Sequence, residues 1–396
     1  MKIGFLFNHD QVHQVAHSLP IALSLIRNAP AMDGAPEVVI ATTNDRLTAE
    51  VRRLAARAGV GVPLVQLGLT GTVSRLAVPR LEKLVPAAKI CIYRDNLDFF
   101  RGLDTLVVAE KTSLLLKTRY GLKTLRIVHT RHGAGDRAIG FDKASAGFDQ
   151  ILVSGPKIRD RLIAEAGVPP EKLAMVGYPK FDLIDRIAPP SLFADPMKPV
   201  ILYNPHPSPH LSSWYRHGRA VLEHGLRDDR YNLIFAPHVM LFHRRFVLTI
   251  DRLRVDRPGV VEARFRDAPN IHVDLGSSAS TDMTYTAMAD LYLGDVSSQV
   301  YEFLHRPRPC LFLNSHGVDY RGDANYLHWQ AGAVLPGPDD LGAALDRAFE
   351  THDLYQPVQR DLFARSFDLT EEPSADRAAR AIVSGAARAA GLPRAA

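Results

Sequence analysis

Leu291-Tyr292-Leu293-Gly294-Asp295-Val296-Ser297-Ser298-Gln299-Val300-Tyr301-Glu302-Phe303 changes its period partway along. Leu291–Gly294 is a short apolar run that reads as a strand, and helical spacing begins at about Ser298. Between them Ser297 or Ser298 suits a helix N-cap. The free N–H groups of a first helical turn, with two hydroxyls beside them, form an anion site that a phosphate fits. Asp295 lies at the strand end, and Glu302 lies one turn into the helix, within reach of ribose hydroxyls if a nucleotide occupies the turn. The plainer alternative is a capped helix with nothing bound.

The same strand–turn–helix unit recurs in both directions. Upstream strands are expected at Ile3–Phe7, Glu37–Ala41, Leu106–Ala109, Leu125–His129 and Gln150–Val153. A helix over Ile158–Ala166 carries Ile158, Leu162 and Ile163 on one face. The alternation pauses at Ile187–Pro199, where four prolines and no period mark a linker. It resumes at Val200–Tyr203, Asn232–Ala236, Ile271–Val273, Leu291–Gly294 and Cys310–Leu313. Repeated alternation predicts an α/β fold with parallel sheets covered on both faces. We therefore expect two Rossmann-like doubly wound domains facing a cleft. The first spans residues 1–186, the linker 187–199, the second 200–372, and an Ala- and Arg-rich terminal helix 373–396. Ligands of such sheets bind beyond the carboxyl ends of the strands, so the residues just after each strand deserve the closest reading.

Composition narrows the classes. The chain has 396 residues, 46% hydrophobic and 23% charged, as in ordinary folded domains. Two cysteines exclude a disulfide framework and any four-thiolate metal site. A net charge of +5 is too dilute for a charge-driven nucleic-acid binder. No apolar run approaches the ~20 residues of a membrane helix, and the first seven residues are too short for a signal peptide's apolar core. The expectation is a cytoplasmic protein, with peripheral contact at the inner membrane face left open through Arg377, Arg380, Arg388 and Arg394.

The chain carries 16 histidines, several of them just past predicted strands. Thr130-Arg131-His132-Gly133-Ala134-Gly135-Asp136-Arg137 follows Leu125–His129. Its glycines allow a tight turn, and His132 titrates near neutrality as a general base must. His238 follows Phe235-Ala236-Pro237 and could donate to a leaving phosphate. His206 and His210 stand among three prolines after Tyr203, and His9, His13 and His17 are spaced by four, sharing a face if helical. Metal binding needs a further ligand that neither group shows, so an acceptor-binding role is preferred for His9 and His13.

Taken in order, these segments resemble the CDP-glycerol glycerophosphotransferases, the teichoic-acid primase and polymerase family with a GT-B fold. The resemblance rests on His132-Gly133 with Arg137, Gly140 and Asp142, then Gly177-Tyr178-Pro179-Lys180-Phe181-Asp182 and Leu202-Tyr203-Asn204-Pro205. It continues through Asp295-Val296-Ser297-Ser298 with Glu302-Phe303, and Arg306-Pro307. It spans about residues 125–340. Ala134–Arg137, Val239, Val296 and His206 depart from the family pattern and put the donor and acceptor in question more than the fold.

The resemblance implies a transferase that moves glycerophosphate from CDP-glycerol to a hydroxyl of a polysaccharide or glycolipid acceptor. His132 would be the base. His238, Ser297 and Ser298 would meet the diphosphate, with Glu302 near the ribose. Arg131 or Arg137 would stabilise the leaving nucleotide, and Asp295, Gly133, His206, His9 and His13 would contribute to binding. No cofactor and no firmly bound metal are required. The alternatives are a GT-B glycosyltransferase with a UDP-, GDP- or CMP-sugar donor, a sugar-nucleotide epimerase, and a non-catalytic nucleotide- or polymer-binding protein.

Overall fold

The computed structural model describes residues 1–9, 12–29, 35–71, 87–131, 133, 135–136, 138–186, 190–243, 245–249 and 254–389. The chain forms two doubly wound α/β units of the GT-B type. In the first, β1 (Lys2–Phe7), β2 (Glu37–Thr42), β3 (Leu64–Gln66), β4 (Thr105–Val108), β5 (Arg126–Thr130), β6 (Gln150–Val153) and β7 (Leu173–Met175) form one sheet. Their order is β3-β2-β1-β4-β5-β6-β7, and every pairing is parallel. In the second, β8 (Val200–Asn204), β9 (Asn232–Phe235), β12 (Ile271–Val273), β13 (Leu291–Gly294), β14 (Cys310–Leu313) and β15 (Ala333–Leu335) pair in the parallel order β12-β9-β8-β13-β14-β15. A separate antiparallel ribbon joins β10 (Val247–Thr249) to β11 (Arg254–Asp256).

The expected strands are all present. Those that sequence reading passes over, β3, β7, β10, β11 and β15, are three residues each. Runs this short give little period to read, and the sheet strands among them, β3, β7 and β15, are edge strands. Central strands such as β4, β6, β9 and β13 are buried throughout, as strands covered on both faces must be.

The units do not follow the expected linear division. The first comprises residues 1–132, 141–183 and 367–396, and the second 133–140 and 184–366. The sequence reading leaves 373–396 as a separate tail, but the helix Ser374–Ala389 belongs to the first unit, where Ala378, Ala379 and Ile382 join the core of Ile3, Phe5 and Leu19. The segment Gly177–Asp182 explains why. Asp182 accepts from Ser374 N at 3.2 Å and Ala375 N at 2.7 Å, bonding the free N–H groups of that helix's first turn. Tyr178 N donates to Ser374 Oγ at 3.0 Å, and Tyr178, Phe181 and Phe367 pack ring on ring. Gly177 holds φ +79°, and a Cβ there would lie 2.9 Å from the Asp368 carbonyl oxygen. This motif is thus a latch for the last helix.

We expect Gly177→Ala to lower Tm strongly, since it meets both the left-handed backbone and a backbone oxygen. Asp182→Ala should cost about 1 kcal/mol, with Asp182→Asn closer to wild type. Thermal melts compare the three, and a Gly177→Ala melt equal to wild type would refute the latch.

Candidate functional site

In the second unit β8 leads to β9 on one side of itself and β13 takes the other, so the order of strands reverses between β8 and β13. A crevice opens beyond the carboxyl ends of the strands at such a reversal. Most of the residues that sequence reading places in the second half lie there.

Asp295 is the floor. Its buried carboxylate accepts from His206 N at 2.9 Å, Val296 N at 2.6 Å, Ser213 N at 2.6 Å and Ser213 Oγ at 2.9 Å. These four donors tie the loop after β8 to the end of β13. Its carbonyl oxygen accepts from His328 Nε2 at 3.0 Å and Trp329 Nε1 at 2.6 Å. Burial pushes the carboxyl up to about 6 despite the donors from Ser213, His206 and Val296. Expected as a ligand contact, Asp295 spends its oxygens on the protein and sets the shape of the loops.

His206 and His238 come together on those loops, with ring centroids 6.2 Å apart. Ser208 N donates to His206 Nδ1 at 3.1 Å, and Met240 N donates to His238 Nδ1 at 3.3 Å. A backbone donor at Nδ1 fixes the tautomer, so each neutral ring carries its hydrogen on Nε2. Desolvation by burial pushes His238 down to about 4, so it is neutral at pH 7. A neutral imidazole of this tautomer donates without adding charge.

The helix after β13 differs from expectation. It runs only over Gln299–Phe303, and Ser298 has helical φ/ψ of −70° and −11° with no side-chain cap bond. Ser297 is buried, its Oγ 3.5 Å from Gln299 N, and Ser298 is exposed. With so few peptide units the macrodipole is small, so any anion affinity must come from N–H groups and hydroxyls. Glu302 is buried rather than presented at the surface.

The glycines of the His132 loop lie over Ser298. A Cβ on Gly133 (φ +79°) would stand 3.6 Å from Ser298 Oγ, and one on Gly135 3.0 Å from Ser298 Cβ. Asp136, fully buried, pins this segment within the second unit. Tyr301 donates its hydroxyl to both carboxylate oxygens at 2.8 and 2.7 Å, and His328 Nδ1 and N lie 2.9 and 3.3 Å from Oδ2. Each ring nitrogen of His328 faces an oxygen acceptor, Asp136 Oδ2 on one side and the Asp295 carbonyl on the other. Sequence reading misses Asp136 and His328 as a pair. They stand far apart in the chain, and only the carboxylate's place between two glycines and a basic residue marks it.

His132 and Arg137 lie outside the described residues, as does the side chain of His13. Arg131 does not stand ready for a phosphate. Its guanidinium stacks 4.7 Å from the Phe141 ring, which Arg161 also covers at 4.0 Å, and desolvation pushes it down to about 10. The shared helix face of His9, His13 and His17 is also corrected. His9 precedes a 3₁₀ turn at Val12–Gln14, and the helix begins only at Val15. His17 is buried edge-on to Tyr178 at 5.5 Å. Among the described residues no three His, Cys, Asp or Glu side chains form a metal-holding group, and no helix is long and apolar enough to cross a membrane.

No protein-family model matches the chain, and no curated protein matches it in sequence. Solved structures share its fold. The wall teichoic acid polymerase TagF matches with a TM-score of 0.62 at 13% identity, over 98% of this chain and 89% of TagF. A putative UDP-N-acetylglucosamine 2-epimerase from Listeria monocytogenes matches with a TM-score of 0.62 at 11% identity, over 100% and 98%. The UDP-GlcNAc 2-epimerase from Neisseria meningitidis, bound to UDP-GlcNAc, gives 0.57 at 12%, over 98% and 100%.

Two outcomes check the site's physics. Asp295→Ala should cost about 3 kcal/mol or more by leaving buried donors unbonded. His238, ordinarily at 6.5 but held near 4, contributes stability that is present above 6.5 and lost as pH falls towards 4. Asp295, ordinarily at 3.8 but raised to about 6, contributes stability that is present below 3.8 and lost as pH rises through 6. The two trends oppose each other. In denaturant titrations His238→Gln should therefore unmask a fall in stability between pH 4 and 6, and a pH dependence unchanged from wild type would contradict the neutral, buried imidazole.

Proposed function

We propose that the chain is a nucleotide-diphosphate-dependent transferase whose second unit holds the donor at the β8–β13 reversal. The observation that carries this is the pair of Nε2–H donors on His206 and His238, whose Nδ1 atoms accept from backbone, at the crevice that also holds the exposed Ser298. Donors of this kind, fixed before a ligand arrives, suit a diphosphate and the charge that grows on its leaving half. Ser298, with Gly133 and Gly135 backbone over it, is the place for a phosphate oxygen, and the buried Glu302 is not offered to the ribose. Arg137 is kept as a further cation for the leaving group.

By resemblance the donor is CDP-glycerol and the acceptor a hydroxyl of a cell-envelope polysaccharide or glycolipid. The acceptor oxygen bonds to the phosphorus of the glycerophosphate group, the bond to the bridging oxygen breaks, and CMP leaves with that electron pair. His132 takes the acceptor's proton. Asp136 fixes the segment just beyond His132 and so acts as a positioning residue. The resemblance to a TagF-like transferase in motif order, together with a fold shared with TagF and with UDP-GlcNAc epimerases, supports a nucleotide donor of this general kind. The glycosyltransferase reading uses the same donor cradle with UDP, GDP or CMP in place of CDP.

Thermal shift with CDP, UDP and GDP separates the donors: the cognate nucleotide at 100 times its Kd should add about 2.7 kcal/mol. A shift with CDP alone supports glycerophosphate transfer, whereas UDP or GDP points to a sugar donor. No shift with any of them sinks the reading. With the donor known, His132→Ala should lower kcat by about 10²–10⁴ with nucleotide binding retained. Asp136→Asn should lower kcat by a smaller factor and weaken the donor with it, since the same carboxylate pins the glycines over Ser298.

A further inference from the structure

The first unit has its own reversal point, between β1 and β4. Asn8 and His9 follow β1, and Glu110 follows β4. The His9 side chain is 0% exposed, yet among the described residues no group hydrogen-bonds to Nδ1 or Nε2, and the buried Asn8 Oδ1 is likewise without a hydrogen bond. Buried polar atoms without partners are destabilising, and three on consecutive residues at a ligand-binding edge mark a site. The surroundings converge on the segment after β4. Glu110 Oε1 lies 3.5 Å from His9 Nδ1 and 3.6 Å from Lys89 Nζ. Asn8 Nδ2 donates to Tyr93 Oη at 2.7 Å, and that oxygen lies 3.1 Å from Ser113 Oγ.

We infer that Asn8, His9, Glu110 and Lys89 form a binding site for a hydroxyl-rich ligand, a polyol or sugar ring. The choice follows from the sign of the partners required. Asn8 Oδ1 accepts only, so its ligand must bring a hydrogen. One nitrogen of a neutral His9 accepts and the other donates, and Lys89 donates. A hydroxyl does both, and adjacent hydroxyls can satisfy such a mixed set. Phosphate is an anion and meets the Glu110 charge. Taking this ligand as the acceptor of the transfer rests on the transferase reading. The binding itself does not.

The test is side-chain NMR of the full chain with ¹⁵N-labelled histidine, the His9 signals being identified by their loss in His9→Gln. Glycerol and a set of methyl glycosides are titrated in, with inorganic phosphate in parallel. At least one polyol should shift the His9 signals saturably while phosphate leaves them in place, and Glu110→Gln should weaken that binding at least tenfold. The shift by phosphate alone, or no shift by any polyol, overturns the site. The CDP melt is run on the same wild-type and Glu110→Gln samples. Polyol binding without a nucleotide response leaves this site standing and removes the transferase, and a nucleotide response without polyol binding does the reverse. Should Glu110→Gln fail to fold, the wild-type titration still decides.

Discussion

The second unit depends on one buried carboxylate. Asp295 draws the loop after β8, the start of the helix Trp214–Arg227 and the end of β13 onto two oxygens. Placing a charge there is costly, which is why burial raises it to about 6, and the donors offset that cost without abolishing it. What the cost secures is position. His206 is carried on a backbone N–H that Asp295 holds, and Ser213 Oγ, whose hydrogen goes to Asp295, accepts from Tyr203 Oη 2.9 Å away. The same residue's carbonyl anchors His328, and through it Asp136 and the glycine loop. Residues distant in sequence become neighbours because one acidic group has more acceptor capacity than its own segment can use.

This order of dependence tells which parts of the molecule were readable in advance. Strand–helix alternation and buried central strands made the two doubly wound sheets legible, since a parallel strand covered on both faces leaves an apolar run. Of the three-residue strands only β12 was read in advance, and the edge strands β3, β7 and β15 were passed over. The residues near the crevice were legible by place, because Asp295, Ser297, Ser298, His206 and His238 directly follow strands. Their roles were less so. Asp295 and Ser298 read alike as polar residues in a turn, yet one is fully buried with saturated oxygens and the other exposed. Burial at a turn depends on which distant groups arrive, and no local period encodes that.

The Gly177–Asp182 segment is the sharper lesson. It is one of the segments that carry the family resemblance, but Gly177 is required by a close approach to Asp368, and Asp182 by the free N–H groups of Ser374 and Ala375. A motif records that geometry is demanding, and docking a terminal helix is as demanding as holding a ligand. Arg131 is a similar case: a cation after a strand turns out to be stacked on Phe141.

The two reversal points use opposite chemistry. The one between β8 and β13 presents imidazole N–H donors whose Nδ1 positions are already filled by backbone N–H groups. The one between β1 and β4 presents a histidine with both nitrogens unbonded, beside the acceptors Asn8 Oδ1 and Glu110. A donor-rich cradle with neutral rings favours anionic oxygens, and an acceptor-rich one favours hydroxyls. The pairing makes sense if an electrophilic phosphorus and a nucleophilic hydroxyl are each held by the unit whose polar groups have the matching sign, and it locates specificity in those few side chains rather than in the shared fold.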